Sequence, residues 1–226
     1  MPPAAPRSIR MAPRLEQAMV SINAPFGRRP AAKNETTQNF ILLGSSTGGV
    51  DALIQILRHF GSDCPPTLIV QHTGNQFAQS LIRLLDGATR AKVVAAQDGA
   101  MLERGLVYLS PSTEQHLCLA ENLPLRIALN KNPPRTSHRP SVDALFESAV
   151  PHAANATAAI LTGMGKDGAQ GLLSLRQAGA QTVGQDESTS IVYGMPRVAH
   201  ALGGVARALP ITEIGPALLR AAIQRT

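Results

Sequence analysis

The stretch Phe40-Ile41-Leu42-Leu43-Gly44-Ser45-Ser46-Thr47-Gly48-Gly49 decides the fold. Its four leading residues are apolar without period-2 alternation, as in a strand covered on both faces. They run into a glycine- and serine-rich turn. Behind it Val50, Leu53, Ile54, Leu57 and Phe60 recur at helical spacing. Reading outward, residues 67–70 form a second apolar run, closed by Gln71-His72 and followed by a helical pattern over 77–85. Residues 91–95 predict a third strand. The runs 106–109, 116–119 and 125–129 are short strands separated by turn residues, expected as a hairpin at one sheet edge. After a polar loop with three prolines (130–140), Ser141 has the character of an N-cap for a helix through Leu145, Phe146 and Val150. Residues 156–161 predict a strand ending in Thr162-Gly163-Met164-Gly165-Lys166-Asp167-Gly168. A helix over 172–178, a strand at 182–184 and helices near 196–202 and 214–224 follow. The expected fold is α/β: a doubly wound, mainly parallel sheet with helices on both faces and a short antiparallel hairpin at one edge.

Composition narrows the function. Of 226 residues 44% are hydrophobic, enough for a sizeable core, yet only 3% are aromatic and none is Trp. Leu, Val, Ile and Ala must therefore build that core. The formal net charge of +6 divides unevenly. Residues 1–38 carry Arg7, Arg10, Arg14, Arg28, Arg29 and Lys33 against Glu16 and Glu35, which leaves +2 for the remaining 188 residues. With no aromatic–basic interleaving, nucleic-acid binding is not expected. The same 38 residues hold six of the 17 prolines and show no sustained period. They read as a disordered or loosely attached basic tail, and 39–226 as the folded domain. No apolar run reaches a membrane-spanning length. Cys64 and Cys118 are far apart in sequence, consistent with two buried thiols in a reducing cytoplasm.

Three polar residues stand just after three separate predicted core strands: Ser46, His72 and Asp167. In a parallel sheet those strand ends face one way, so a nucleophile, a base and an orienting carboxylate can converge there. Gly44-Ser45-Ser46-Thr47-Gly48 also fits a G-x-S-x-G turn, which exposes a serine hydroxyl beside backbone N–H groups at a helix start. Each feature has a plainer reading. Such turns also bind phosphate, a histidine after a strand is often a loop anchor, and Asp167 before Gly168 fits an N-cap. One esterase site accounts for all three together. His59, His116, His138, His152 and His200 lie in helices, edges or loops and are read as structural. No grouping has metal-ligand spacing, so neither metal nor cofactor is expected. The order Ser, His, Asp differs from that of the α/β-hydrolases.

These residues resemble the catalytic domain of the bacterial chemotaxis protein-glutamate methylesterase family, over essentially all of 39–225. The resemblance rests on five ordered motifs. They are Leu43-Gly44-Ser45-Ser46-Thr47-Gly48-Gly49, Val70-Gln71-His72, Pro140-Ser141-Val142-Asp143, the segment from Leu161 to Ala169, and Gln185-Asp186-Glu187-Ser188 with Tyr193-Gly194-Met195-Pro196. It implies a Ser46–His72–Asp167 triad, an oxyanion donor at the Met164 N–H, and Thr47 as an active-site neighbour. It further implies a cytoplasmic enzyme, expected as a monomer. The enzyme would hydrolyse glutamyl methyl esters on chemoreceptors, releasing methanol, and deamidate receptor glutamines. The family commonly has an N-terminal receiver domain, which 38 residues are too few to form, so activity without a phosphodonor is expected. The loop Thr73-Gly74-Asn75-Gln76-Phe77 stands where the family has a proline-rich turn. Two alternatives remain: a serine hydrolase of this fold acting on another ester or amide, and a non-catalytic receptor-binding scaffold.

Overall fold

A computed structural model of the chain describes Met1 and residues 38–74, 77–111 and 114–223. The tail expected over 1–38 lies outside the described residues except for Met1 and Gln38, as do Asn75 and Gln76 of the departing loop.

Seven strands form one sheet: β1 (Phe40–Ser45), β2 (Thr67–Gln71), β3 (Lys92–Ala95), β4 (Leu106–Leu109), β7 (Ala156–Ile160), β8 (Gln181–Gln185) and β9 (Arg207–Leu209). Their order is β3-β4-β2-β1-β7-β8-β9, and every pairing is parallel. β5 (His116–Leu119) and β6 (Ile127–Asn130) pair antiparallel as a separate two-stranded sheet. Among the described residues the α-helices are α1 (Gly49–Leu57), α2 (Ala78–Asp86), α3 (Val142–Ser148), α4 (Ala169–Gln177), α5 (Met195–Ala201) and α6 (Ile211–Ile223), with a 3-10 helix at Val150–Asn155 after α3. The doubly wound fold read from sequence is the one observed. Of the three short runs expected as a hairpin, Leu106–Leu109 lies inside the parallel sheet between β3 and β2. A four-residue apolar run has the same pattern in either setting, so local sequence does not separate them.

Side chains of β1 alternate between two cores. Phe40 and Leu42 pack with residues of α3, α4 and the hairpin, whereas Ile41 and Leu43 pack with α1, α2 and α6. All four are fully buried, each contributing about 1.5–3 kcal/mol. Cys64 and Cys118 are buried free thiols, and burial pushes the pKa of both up. Among the described residues no helix is long and apolar enough to cross a membrane.

β1 has β2 on one side and β7 on the other, so the chain reverses its direction of winding beside β1. Such a switch point opens a crevice at the carboxyl ends of the strands. One side of it is set by a close approach: a Cβ on Gly44 or on Gly168 would overlap Val142, the first residue of α3. The missing side chains let α3 start against the end of β1. Gly44→Ala is therefore expected to destabilise the fold by about 1–3 kcal/mol through overpacking. Adding Val142→Ala should recover part of that loss, so the double variant is less destabilised than the two singles summed. Denaturant unfolding checks this, and additive losses would show that the two sites do not meet.

Candidate active site

Ser45 and Gln71 are register partners at the ends of β1 and β2, so Ser46 and His72 leave the sheet side by side. Gln71 fastens them. Its amide Nε2 donates to the Ser46 and His72 carbonyls, at 2.9 Å each, and its Oε1 accepts from Ser45 Oγ at 2.6 Å. The buried amide lies against Gly49, where a Cβ would strike Oε1. Gln185, at the end of β8, does the same on the other flank. It accepts from the Thr162 N–H and donates to the Thr189 carbonyl, both at 2.8 Å.

Asp167 is fully buried and receives five hydrogen bonds. Oδ1 accepts from Thr136 Oγ1 (2.6 Å), Ser141 Oγ (2.7 Å) and the Asp143 N–H (3.2 Å). Oδ2 accepts from His72 Nε2 (2.8 Å) and the Val142 N–H (2.7 Å). Burial alone would raise this carboxyl, but the donors from His72, Thr136, Ser141 and Val142 outweigh it and hold Asp167 well below the usual carboxylate range. Ser141 is the expected N-cap of α3, accepting from the Ala144 N–H. The N-cap reading of Asp167 itself is not realised, since helix α4 begins behind Gly168 with no side-chain cap.

His72 therefore carries its proton on Nε2, which leaves the Nδ1 lone pair free. Nδ1 is buried and has no partner among the described residues, and no hydrogen bond joins it to Ser46 Oγ. The carboxylate arm is closed and the serine arm open. His138, read from sequence as structural, stacks on His72 with ring centroids 4.0 Å apart and planes 3° apart. His116 does serve a structural role: Nδ1 accepts from the Ser141 N–H and Nε2 donates to the Pro133 carbonyl, both at 3.1 Å. Donor atoms of His72, His138 and Asp167 lie within 4.8 Å of one another, close enough to consider a metal. The arrangement does not fit one. An ion lies near the plane of each imidazole that binds it, and two parallel stacked rings share no plane. Both oxygens of Asp167 are also already taken.

Gly163 lies against Ser46, where a Cβ would approach Ser46 Cβ to 2.7 Å, and Met164 follows it with 73% of its surface exposed. Thr47 is exposed in the turn behind Ser46, and its carbonyl accepts from Thr162 Oγ1 at 2.9 Å. Among the described residues no acceptor is paired with the backbone N–H of Thr47 or Met164. The Gly163 carbonyl accepts from the Gly194 and Met195 N–H groups, and the Gly163 N–H donates to Val192. Both halves of the motif at 185–196 thus brace the 162–164 turn against Ser46.

Residues 41–218 match the family model described as CheB methylesterase. The chain belongs to the CheB methylesterase family. It is 45% identical over 222 residues to "Protein-glutamate methylesterase/protein-glutamine glutaminase" of Gluconobacter oxydans, covering 96% of this chain and 62% of the relative. A protein of the same name from Rhizobium etli is 48% identical over 184 residues, 81% of this chain and 53% of the relative. The chain thus spans little more than half to three-fifths of the length of these relatives. The crystal structure of the Thermotoga maritima CheB methylesterase catalytic domain superposes with a TM-score of 0.77 at 31% identity. That match covers 81% of this chain and 98% of the other.

In this CheB methylesterase fold Asp143 is a second buried carboxyl beside Asp167, accepting from the Gly171 N–H of α4 at 2.7 Å. Burial, aided by the Asp167 charge, raises its pKa above the ordinary 3.8 despite that bond. A raised carboxyl pKa means the ionised form costs stability above the folded value. Asp143→Asn keeps the acceptor and removes the charge, so it should raise the thermal midpoint at neutral pH. The gain should shrink as pH falls through the raised pKa and be gone below 3.8, where Asp143 is protonated folded or unfolded. A midpoint difference that does not change with pH would refute the account of a buried carboxyl whose ionisation costs stability.

Proposed function

We propose that this chain carries the catalytic domain of a protein-glutamate methylesterase. It hydrolyses glutamyl methyl esters on chemoreceptors, releasing methanol, and deamidates receptor glutamines by the same acyl chemistry. The carrying observation is the buried His72–Asp167 pair at 2.8 Å, beside the strand end that delivers Ser46, in a CheB methylesterase chain. The names of the two relatives, methylesterase and glutaminase in one, support the two substrates.

Ser46 is the nucleophile, His72 the base and Asp167 the orienting carboxylate. Because Nε2 donates to Asp167, Nδ1 takes the Ser46 proton as Oγ attacks the ester carbonyl. The carboxylate, kept ionised by its donors, stabilises the imidazolium that forms. The Met164 N–H receives the oxyanion, worth roughly a hundred- to thousandfold per donor, and Thr47 is a neighbouring active-site residue. Nδ1 then returns the proton to departing methanol, or to ammonia from glutamine. Water repeats the sequence on the acyl-enzyme. The open serine arm closes as substrate binds, since such bonds tighten in the substrate complex.

The catalytic unit is residues 39–226, working as a cytoplasmic monomer. Asn39 Nδ2 donates to the Ala222 carbonyl at 2.7 Å, which favours a boundary there. Removing residues 1–38 should leave turnover of a small ester unchanged, and loss of that turnover would move the boundary into the tail.

Methanol release from methyl-labelled receptor tests the whole reading. Ser46→Ala should lose on the order of a millionfold in kcat with its unfolding midpoint preserved, as for other triad nucleophiles. Retention of more than a few percent of activity would remove Ser46 from its role. A wild-type protein that takes up a serine-directed fluorophosphonate but releases no methanol would indicate a different ester or amide substrate.

A further inference from the structure

The turn Arg135-Thr136-Ser137-His138 is built against local preference. Its ends exchange two backbone hydrogen bonds, Arg135 N–H to the His138 carbonyl (3.0 Å) and His138 N–H to the Arg135 carbonyl (2.8 Å). Both central residues, Thr136 and Ser137, have positive φ, 46° and 65°. That is a primed two-residue turn, which usually takes Asn-Gly, and a β-branched threonine there is an outlier. Strain of this kind persists only where the surroundings impose it, and it gathers at functional sites.

Three contacts impose it here. The Arg135 guanidinium bonds both oxygens of Glu147 on α3. Thr136 Oγ1 donates to Asp167 at 2.6 Å. His138 Nδ1 donates to the Thr136 carbonyl at 2.7 Å, which leaves its ring flat against His72. One strained turn therefore touches the carboxylate through Thr136 and the imidazole through His138.

We propose that His138 is a positioning residue: its ring sets the plane of the His72 imidazole and so aims the Nδ1 lone pair at the serine. The need for it follows from the geometry of the ring. His72 turns about its Cβ–Cγ bond, and Nε2, at the far side of the ring, lies nearer that axis than Nδ1 does. The bond from Nε2 to Asp167 holds the ring's direction but resists the twist weakly. Nδ1 swings furthest under that twist, and it has no partner of its own to hold it. A parallel ring at 4.0 Å blocks the motion on one face. A misplacement of about 1 Å at a reacting atom can cost as much as a hundredfold in rate. The inference rests on the Ser46–His72 reading above.

The test is the second-order rate of fluorophosphonate labelling, its stoichiometry, and kcat and KM for methanol release, in His138→Ala and His138→Phe. His138→Ala should still label one site per chain, at a rate lower by about tenfold to a hundredfold. Its kcat should fall in parallel, with KM nearly unchanged. His138→Phe restores a flat ring without the imidazole and should recover most of the rate. A His138→Ala rate within about twofold of the unsubstituted protein would overturn the inference. So would a His138→Phe variant no faster than His138→Ala, or a loss of labelled sites at unchanged rate, which marks mere support of the fold. Ser46→Ala, run alongside, separates the two readings: if it still labels, the nucleophile assignment falls and this inference with it. If it does not label, the His138 result stands by itself.

Discussion

A buried negative charge governs this site. Asp167 has no exposure to solvent, and leaving such a charge uncompensated would cost roughly 3–5 kcal/mol. Its five donors come from three places in the chain: His72 behind β2, Thr136 in the strained turn, and Ser141, Val142 and Asp143 at the start of α3. Together they outweigh its burial and hold the carboxylate ionised. Satisfying this one carboxylate thereby locks the base, the turn and the helix start into a single arrangement.

The close packing around that charge explains several small residues at once. Val142 brings the α3 N–H groups to Asp167, and it fits only because Gly44 and Gly168 lack side chains. Gly49 leaves room for the Gln71 amide, and Gly163 leaves room for Ser46. Gln71 and Gln185, at the ends of the strands flanking β1 and β7, use both ends of their amides to hold loops to the sheet edge. Each replaces backbone pairing that the strands can no longer supply once they diverge into loops. The result is a rigid floor carrying Ser46 and His72 on adjacent strand ends, with the 162–164 turn pressed against the serine.

Much of this was legible beforehand. Ser46, His72 and Asp167 each follow an apolar run, and parallel strands place such positions on one rim, so sequence order alone predicted that they could meet. His138 and Thr136 carried no such signal: they lie in a polar loop with neither periodicity nor a strand to aim them. Gln71 and Gln185 stood inside quoted motifs, yet nothing local distinguishes a clamp from a polar strand end. Thr136 and Ser137 adopt positive φ against their own preferences, which no local reading anticipates.

By itself, the sequence determined the alternation of apolar strands and helices, hence a parallel sheet covered on both faces, and the family to which the chain belongs. It also determined which residues stand at the strand ends, because strand length and side-chain period are local properties. Tertiary structure alone decided that Leu106–Leu109 enters the sheet, that the open arm of His72 is Nδ1, and that His138 lies on its ring. Those outcomes depend on contacts between residues tens of positions apart, whose energies come from burial and from satisfying the charge of Asp167.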